Sequence, residues 1–392
     1  MKNRLHLIAP AGSCRPFFAA LGSALDSADS DMLAQLGPCR KAKGDALSPA
    51  EFIDLVQDLV GASYRVTGSE ETLGVEEDEL AGGRSDDRQR AVDVQQALAD
   101  DHVVAIVALR GGAWFTRILP LIDLSVLDKR SQPIAVFGFS ELTTLVNIVG
   151  AHVKGRGIYD MGPAFLMYGL KRHAETAMSL PANASLNPSS EAWATQQLLQ
   201  QLMAYFRDCT SMIEGRGTSR NIRTQVVGTL DGLELPERFE ATFVGGNLCV
   251  LTTLIGSRYH RFVEPTGRWL VLEDLNEKPE RIDRFLAHLT LAGFWNRCRG
   301  ILLGDFHRRQ QQLAPAVAAM LPYHLPANRR IPILMTEQVG HVWPMSPLPL
   351  QVPLELTRTD EDSYTIRWPA GYPLTQVNNA WQKESWPFFW PG

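Results

Sequence analysis

The feature that most constrains this chain is a pattern that occurs twice. His102–Leu109, "HVVAIVAL", is an almost unbroken run of β-branched and aliphatic residues that stops at Arg110-Gly111-Gly112. A second run, Pro133–Phe137, stops at Gly138-Phe139-Ser140, and Leu142, Leu145, Val146 and Val149 then recur at helical spacing. A strand that is apolar on both sides cannot turn either side to water, so it belongs in a sheet covered on both faces. Strand, glycine turn and helix, repeated, predict an α/β fold whose N-terminal part is a doubly wound parallel sheet. Residues 4–9 read as a further buried strand, followed by the turn Pro10-Ala11-Gly12-Ser13. A helix is expected from Pro16 to about Leu36, where Gly37-Pro38 would stop it.

The chain has 392 residues, more than one ordinary core accommodates, and two domains are expected. Residues 1–170 form the expected N-terminal domain. The composition changes over 171–223, where "SLPANASLNPSSEAWATQ" reads as a linker leading into one helix. That helix carries Leu198, Leu199, Leu202, Met203 and Phe206 on one stripe, which demands a packing partner. Residues 224–370 form the expected C-terminal domain of mixed strands and helices. It opens with "FVGGNLCVLTTLIGS" and offers Trp269–Leu272, Gly300–Leu303 and Ile331–Met335 as strands. Ile282, Phe285, Leu286 and Leu289 mark a helix there, with Pro279 tolerated in its first turn. The acidic, glycine-containing stretch from Gly68 to Asp87 reads as a surface loop with little core. The tail 371–392, ending "WQKESWPFFWPG", is expected to pack back on the body.

Composition excludes several classes. Apolar residues at 45% and charged residues at 21% describe a soluble globular protein. A net charge of −5 without a basic run gives no footprint for nucleic acid. The five cysteines, Cys14, Cys39, Cys209, Cys249 and Cys298, are odd in number, scattered and never spaced C-x-x-C. Reduced thiols are expected, not a disulfide framework or a zinc site. The apolar run near the N-terminus is broken by His6 and Pro10, and falls short of the roughly 7–15 residues an export signal uses. No segment approaches the roughly 18 apolar residues of a membrane span. A cytoplasmic protein without a membrane partner is expected, with a homodimer left open.

In open α/β sheets, polar residues at the C-terminal ends of strands are favoured positions for chemistry. Ser140, Glu273 and His341 all follow strand candidates. A serine hydroxyl is a poor nucleophile unless a base lies within hydrogen-bond reach and a third group orients that base. Serine, acid and histidine in that chain order also occur in α/β-hydrolases, whose elbow is G-x-S-x-G. Here Leu142 stands where the second glycine would be, so that family is not supported. The ordinary readings stay open at this point: a serine after a strand is commonly a turn residue or helix N-cap, and Glu273 shares its stretch with Asp274 and Glu277, any of which can be a solvated charge. No His, Asp and Cys cluster has metal-ligand spacing, and no cofactor is expected.

Seven blocks in order carry a resemblance. They are "LHLIAPAGSC", "ALRGGAWFTRILPLID", "FGFSELT", "FVGGNLCVLTTLIGS", "LVLEDLNEKPERIDRFLAHLTLAGF", "GILLGDF" and "GHVWPMSPLPL". Together they resemble the LD-carboxypeptidases, a serine peptidase family of the muramoyltetrapeptide carboxypeptidase type. The resemblance implies a catalytic triad of Ser140, Glu273 and His341. It implies an oxyanion loop at Gly111-Gly112, with the backbone N–H of Glu141 as the other donor. Arg110, beside that loop, is a candidate partner for a substrate carboxylate, since a guanidinium binds carboxylates bidentately. The family usually has Tyr-Gly after the double glycine; Ala113-Trp114 stands here, and Trp114 would reshape the pocket floor. In "YDMGPAF" the Gly-Pro of a family segment is kept, with Met161 before it.

The implied substrate is a small peptide or muropeptide, the peptidoglycan tetrapeptide losing its terminal D-Ala in cell-wall recycling. Two alternatives remain beside it. One is hydrolysis of peptidyl-adenylate antibiotics of the microcin C type, known in the same family. The other is a non-catalytic wall-peptide binding protein. The site is expected in a cleft between domains, a common place for pockets.

Overall fold

The computed structural model describes residues 2–36, 44–178, 191–216, 221–228, 234–309, 311–327, 329–368 and 374. The proposed stop at Gly37-Pro38, Cys39, residues 179–190 and 217–220 of the linker, and the aromatic tail apart from Leu374 lie outside the described residues. Contacts divide the chain into two compact units. One comprises Met1–Ile134 and Gly162–Arg216, the other Ala135–Met161 and Gly217–Tyr372.

The first unit holds the strands β1 (Arg4–Ile8), β2 (Arg65–Gly68) and β3 (Val103–Ala108). β1 runs between the other two and is parallel to both. Every residue of β3 is buried, as its unbroken apolar sequence requires. The helix expected over Pro16–Leu36 is two, Arg15–Asp26 and Ser30–Leu36. The break has a local cause: the Asp29 carboxylate accepts the Met32 N–H at 2.8 Å and starts the second helix as an N-cap.

The acidic stretch is mostly exposed, as expected of a surface loop with little core, but it is anchored. Arg84 within it is buried, and its guanidinium donates to Ala9 O (2.6 Å), Thr72 O (2.7 Å) and Asp86 Oδ1 (2.9 Å). Glu77 accepts the Ser13 N–H at 2.7 Å. An acidic composition hid one cation that gathers surrounding carbonyls. In the region 171–223 the expected helix is present and packed. Helices Phe165–Met178 and Glu191–Ile213 pack together, and the second also packs on Arg15–Asp26 and on Pro49–Val60. Leu198, Leu199, Leu202 and Phe206 are buried there, as the stripe demanded.

The second unit begins with β4 (Ile134–Gly138) and β5 (Gly155–Tyr159), joined by the helix Thr143–Ala151. It continues with β6 (Ile222–Gly228), β7 (Arg238–Asn247), β8 (Trp269–Leu275), β9 (Gly300–Arg308) and β10 (Gln311–Gln312). The last strands are β11 (Ile333–Met335), β12 (Leu348–Leu350), β13 (Pro353–Asp360) and β14 (Ser363–Arg367). β12 is antiparallel to β5. β6 to β11, β13 and β14 follow the order β10-β9-β11-β6-β14-β13-β7-β8, and β8 pairs back with β9. Seven strands therefore close on themselves, with β10 added outside the ring. Closure leaves those strands without an open edge. β7, β8, β9 and β11 are parallel along their shared ladders, and the remaining pairings are antiparallel.

Ser140 was expected in the N-terminal domain; by contacts, Ala135–Met161 group with the second unit. A set of cross-links ties the helix Thr143–Ala151 to β7. Asn147 Nδ2 donates to Gly245 O (2.8 Å), its Oδ1 accepts the Gly245 N–H (3.1 Å), and Thr143 Oγ1 accepts the Asn247 N–H (3.0 Å). This helix buries every residue but its last, where the sequence showed one apolar face. The fold is mixed α/β, with a parallel-strand sheet in the N-terminal region and a separate, β-rich C-terminal domain.

Candidate active site

β4 ends at Gly138, and Phe139 is still extended (φ −144°, ψ −177°). Ser140 then turns sharply, with φ +57°. A single 3₁₀ turn, Ser140–Leu142, leads directly into the helix at Thr143. A left-handed backbone on a non-glycine residue costs on the order of 1–3 kcal/mol, and persists only where the surroundings impose it. A strained strand-to-helix turn is also the geometry that presents a nucleophilic hydroxyl at the end of a sheet. Here it is made without the second glycine of the hydrolase motif. The Ser140 N–H donates to the Tyr159 hydroxyl at 3.2 Å.

Glu273 sits inside β8, which runs to Leu275 instead of ending at Leu272. The ladder to β9 shifts register between Leu272 and Asp274, and Glu273 occupies the irregularity, fully buried. Two glycines make room for it. A Cβ on Gly304 would lie 3.1 Å from Glu273 Cβ, and one on Gly340 would lie 2.9 Å from Glu273 Oε2. Gly340 has φ +112°, a conformation glycine adopts without strain. His341 follows it and is buried. Its Nδ1 lies 2.7 Å from Glu273 Oε2, while Tyr159 donates its hydroxyl to Glu273 Oε1, also at 2.7 Å. The imidazole packs against the Phe139 ring with centroids 5.0 Å apart, which brings it against the residue that precedes Ser140.

Burial alone would lower the pKa of His341 by disfavouring the cation. The charge and hydrogen bond of Glu273, with the charges of Asp274 and Asp305, outweigh burial and raise it above the ordinary 6.5. Asp274 is pushed up to about 7, first by burial and then by Glu273 beside it. Its carboxylate accepts the Cys249 N–H (2.9 Å), the Leu275 N–H (2.8 Å) and the Asn247 amide (3.3 Å), so it anchors the start of the helix Leu248–Leu254. Asp305 pairs with His307 and accepts from Gln312. Among the described residues no group of three or more His, Cys, Asp or Glu is arranged to hold a metal ion.

The remaining candidates divide between the units. Glu141 is buried directly after Ser140. Arg110, Gly111, Gly112 and Trp114 belong to the first unit. Gly111 O accepts the Gly12 N–H at 3.2 Å. Gly112, at φ +137°, approaches so closely that a Cβ would fall 2.6 Å from Gly12 N. The Arg110 guanidinium lies over Gly12 and donates to Ser13 O at 2.6 Å. The Trp114 ring packs on Gly83, in the loop that Arg84 anchors. Tyr159 and Asp305 were not singled out from the sequence. Tyr159 had a usable signal, since it is a polar residue at the C-terminal end of a strand.

Comparison with known proteins decides the family. The model of the LD-carboxypeptidase N-terminal domain matches residues 37–159, which include Ser140. The model of the LD-carboxypeptidase C-terminal domain matches residues 240–356, which include Glu273 and His341. The chain belongs to the LD-carboxypeptidase family. Among its relatives is a probable murein peptide carboxypeptidase of Bacillus subtilis (strain 168), 26% identical over 269 residues, or 67% of this chain and 72% of the relative. The murein tetrapeptide carboxypeptidase of Pseudomonas aeruginosa is 27% identical over 253 residues, 61% of this chain and 72% of the relative. The fold is shared with an MccF-like protein from Bacillus anthracis at a TM-score of 0.58 and 17% identity, covering 93% of this chain and 97% of the other. An MccF-like protein from Streptococcus pneumoniae, solved in complex with AMP, has a TM-score of 0.57 and 18% identity, covering 93% and 99%.

Proposed function

We propose that this LD-carboxypeptidase is a serine enzyme of the cytoplasm that hydrolyses the L–D amide bond of peptidoglycan tetrapeptides and releases terminal D-Ala. The observation that carries the reading is the buried Glu273–His341 pair, at 2.7 Å, packed through Phe139 against the strained turn at Ser140. The relatives named as murein peptide carboxypeptidases supply the substrate class. No described helix is long and apolar enough to cross a membrane.

In this reading His341 takes the Ser140 proton as the hydroxyl attacks the carbonyl. Glu273, bonded to Nδ1, fixes the tautomer that leaves Nε2 basic and stabilises the imidazolium as it forms. The tetrahedral oxyanion is met by the N–H of Glu141. The N–H of Ser140 is already given to Tyr159. Removing one such donor costs about 3–4 kcal/mol in comparable enzymes. His341 then protonates the departing D-Ala amine, and water, activated by the same imidazole, frees the serine.

The test is to incubate the protein with free tetrapeptide and with UDP-MurNAc-tetrapeptide and to assay D-Ala. Release by wild type, lost in Ser140→Ala, is expected. A wild type that releases nothing from either substrate but cleaves a peptidyl-adenylate would replace this reading with the microcin C type. A wild type that binds tetrapeptide without cleaving it would make it a binding protein.

A further inference from the structure

We propose that Tyr159 is a positioning residue of this site, whose single hydroxyl holds both the amide of the nucleophile and the carboxylate that orients the base. The inference rests on the triad reading above and adds a fourth member to it.

The hydrogen-bond polarity around the phenol leaves one arrangement. The Ser140 N–H can only donate, and it reaches the phenol oxygen at 3.2 Å. Thr143 also hydrogen-bonds the phenol. A carboxylate can only accept, so the phenol gives its proton to Glu273 Oε1 at 2.7 Å. Burial, and then the charge of Glu273, push the phenol well above its ordinary pKa, so this donor is present throughout the range in which a histidine base titrates.

The two oxygens of Glu273 are thereby divided, Oε1 to Tyr159 and Oε2 to His341. A carboxylate held at both ends cannot rotate, and the Nδ1–H of His341 keeps its acceptor. The same phenol ties down the residue with φ +57° from the neighbouring β5. Asp160 N–H donates to Gly138 O at 3.2 Å, which sets the end of β5 beside the end of β4. β7 leaves space for the ring: Gly246 has φ +136°, and a Cβ there would lie 2.6 Å from Tyr159 Cε2 and 2.8 Å from Thr143 Oγ1. An ordinary core tyrosine needs some acceptor for its proton. This one takes the triad carboxylate and is in turn bonded by the amide of the nucleophile.

The experiment compares Tyr159→Phe with wild type for kcat, KM and the pH profile of kcat/KM on the tetrapeptide, with Ser140→Ala alongside. The groups charged toward His341 are Glu273 and Asp274 of β8 and Asp305 of β9, all acidic. Without the phenol proton, the Glu273 charge falls more fully on the imidazole. The acid limb should move to higher pH, and kcat should fall roughly 10- to 100-fold with KM little changed. An unmoved limb with unchanged kcat overturns the proposal. Should Tyr159→Phe fail to fold, 3-fluorotyrosine at position 159 keeps the size and sharpens the donor. It should move the limb to lower pH, and an unmoved limb there overturns the proposal equally. Full activity in Ser140→Ala would instead remove the triad reading itself. An inactive Ser140→Ala beside a wild-type-like Tyr159→Phe would remove only this inference.

Discussion

His341 Nδ1 and Glu273 Oε2 are 2.7 Å apart, and both residues are buried. The carboxylate accepts two bonds, one from the imidazole and one from Tyr159, on different oxygens. Glutamine has a single carbonyl oxygen and cannot accept both. In Glu273→Gln, an amide N–H facing His341 forces Nδ1 to become the acceptor and moves the ring proton to Nε2, where the base must be empty. A fall in kcat of about 10³- to 10⁴-fold with retained fold is expected, by analogy with the same change in a serine protease triad. Steady-state kinetics with a thermal melt check it, and a loss of less than about tenfold would contradict the orienting role.

The pH profile carries a sign. In the proposed mechanism His341 acts as a base only when neutral, and Glu273, Asp274 and Asp305 together raise its pKa above 6.5 against the effect of burial. Activity should therefore rise with pH through a midpoint above 6.5. Asp274 itself titrates at about 7, raised by burial and by Glu273. Its charge appears across the same range and holds the proton on His341. Asp274→Asn should shift the acid limb of kcat/KM to lower pH. A wild-type midpoint at or below 6.5 would contradict the electrostatics.

Gly340 is the residue that admits Glu273 to its partner. At φ +112°, a Cβ would lie 2.9 Å from Glu273 Oε2 and 3.2 Å from Asp305 Cβ. Gly340→Ala should cost about 1–3 kcal/mol of backbone strain and, by displacing the carboxylate, on the order of 100-fold in kcat. Gly293→Ala is the control. It also has positive φ, +71°, but its Cβ would meet only Arg297 Nη1, at 3.8 Å. It should lose stability while keeping kcat. Equal kcat losses in the two variants would show that strain alone is responsible.

Arg84 predicts a stability effect far in sequence from the triad. Its buried guanidinium binds Asp86 and the carbonyls of Ala9 and Thr72. Arg84→Met leaves those groups without that donor and should cost roughly 3–5 kcal/mol. The loop before it should become accessible to limited proteolysis. An unfolding free energy from urea titration within about 1 kcal/mol of wild type would contradict the anchoring role.

Much of this site was legible because chemistry at strand ends leaves a mark in sequence. Ser140, Glu273 and His341 each follow an apolar run, and the family blocks assigned them roles. Glu273 was read as lying just past its strand, because a charge usually ends an apolar run. Here two glycines distant in sequence, Gly304 and Gly340, make space for it inside β8. The closed sheet was not legible. Its closure rests on β6 pairing with β14 and β7 with β13, which lie far apart in the chain, and β7 mixes exposed and buried residues along its first half. The placement of Ser140 with the second unit was hidden for the same reason. It depends on Asn147 and Thr143 meeting the backbone of β7, about a hundred residues later. Tyr159 was passed over because its segment was read for Gly162-Pro163 and not for the phenol.

The most direct test of the central claim is to treat the protein with a fluorophosphonate and locate the adduct by peptide mass mapping. An adduct on Ser140, formed by wild type and lost in His341→Ala, is the predicted result. No adduct, or one on another residue with Ser140 unmodified, would contradict an activated serine at this turn.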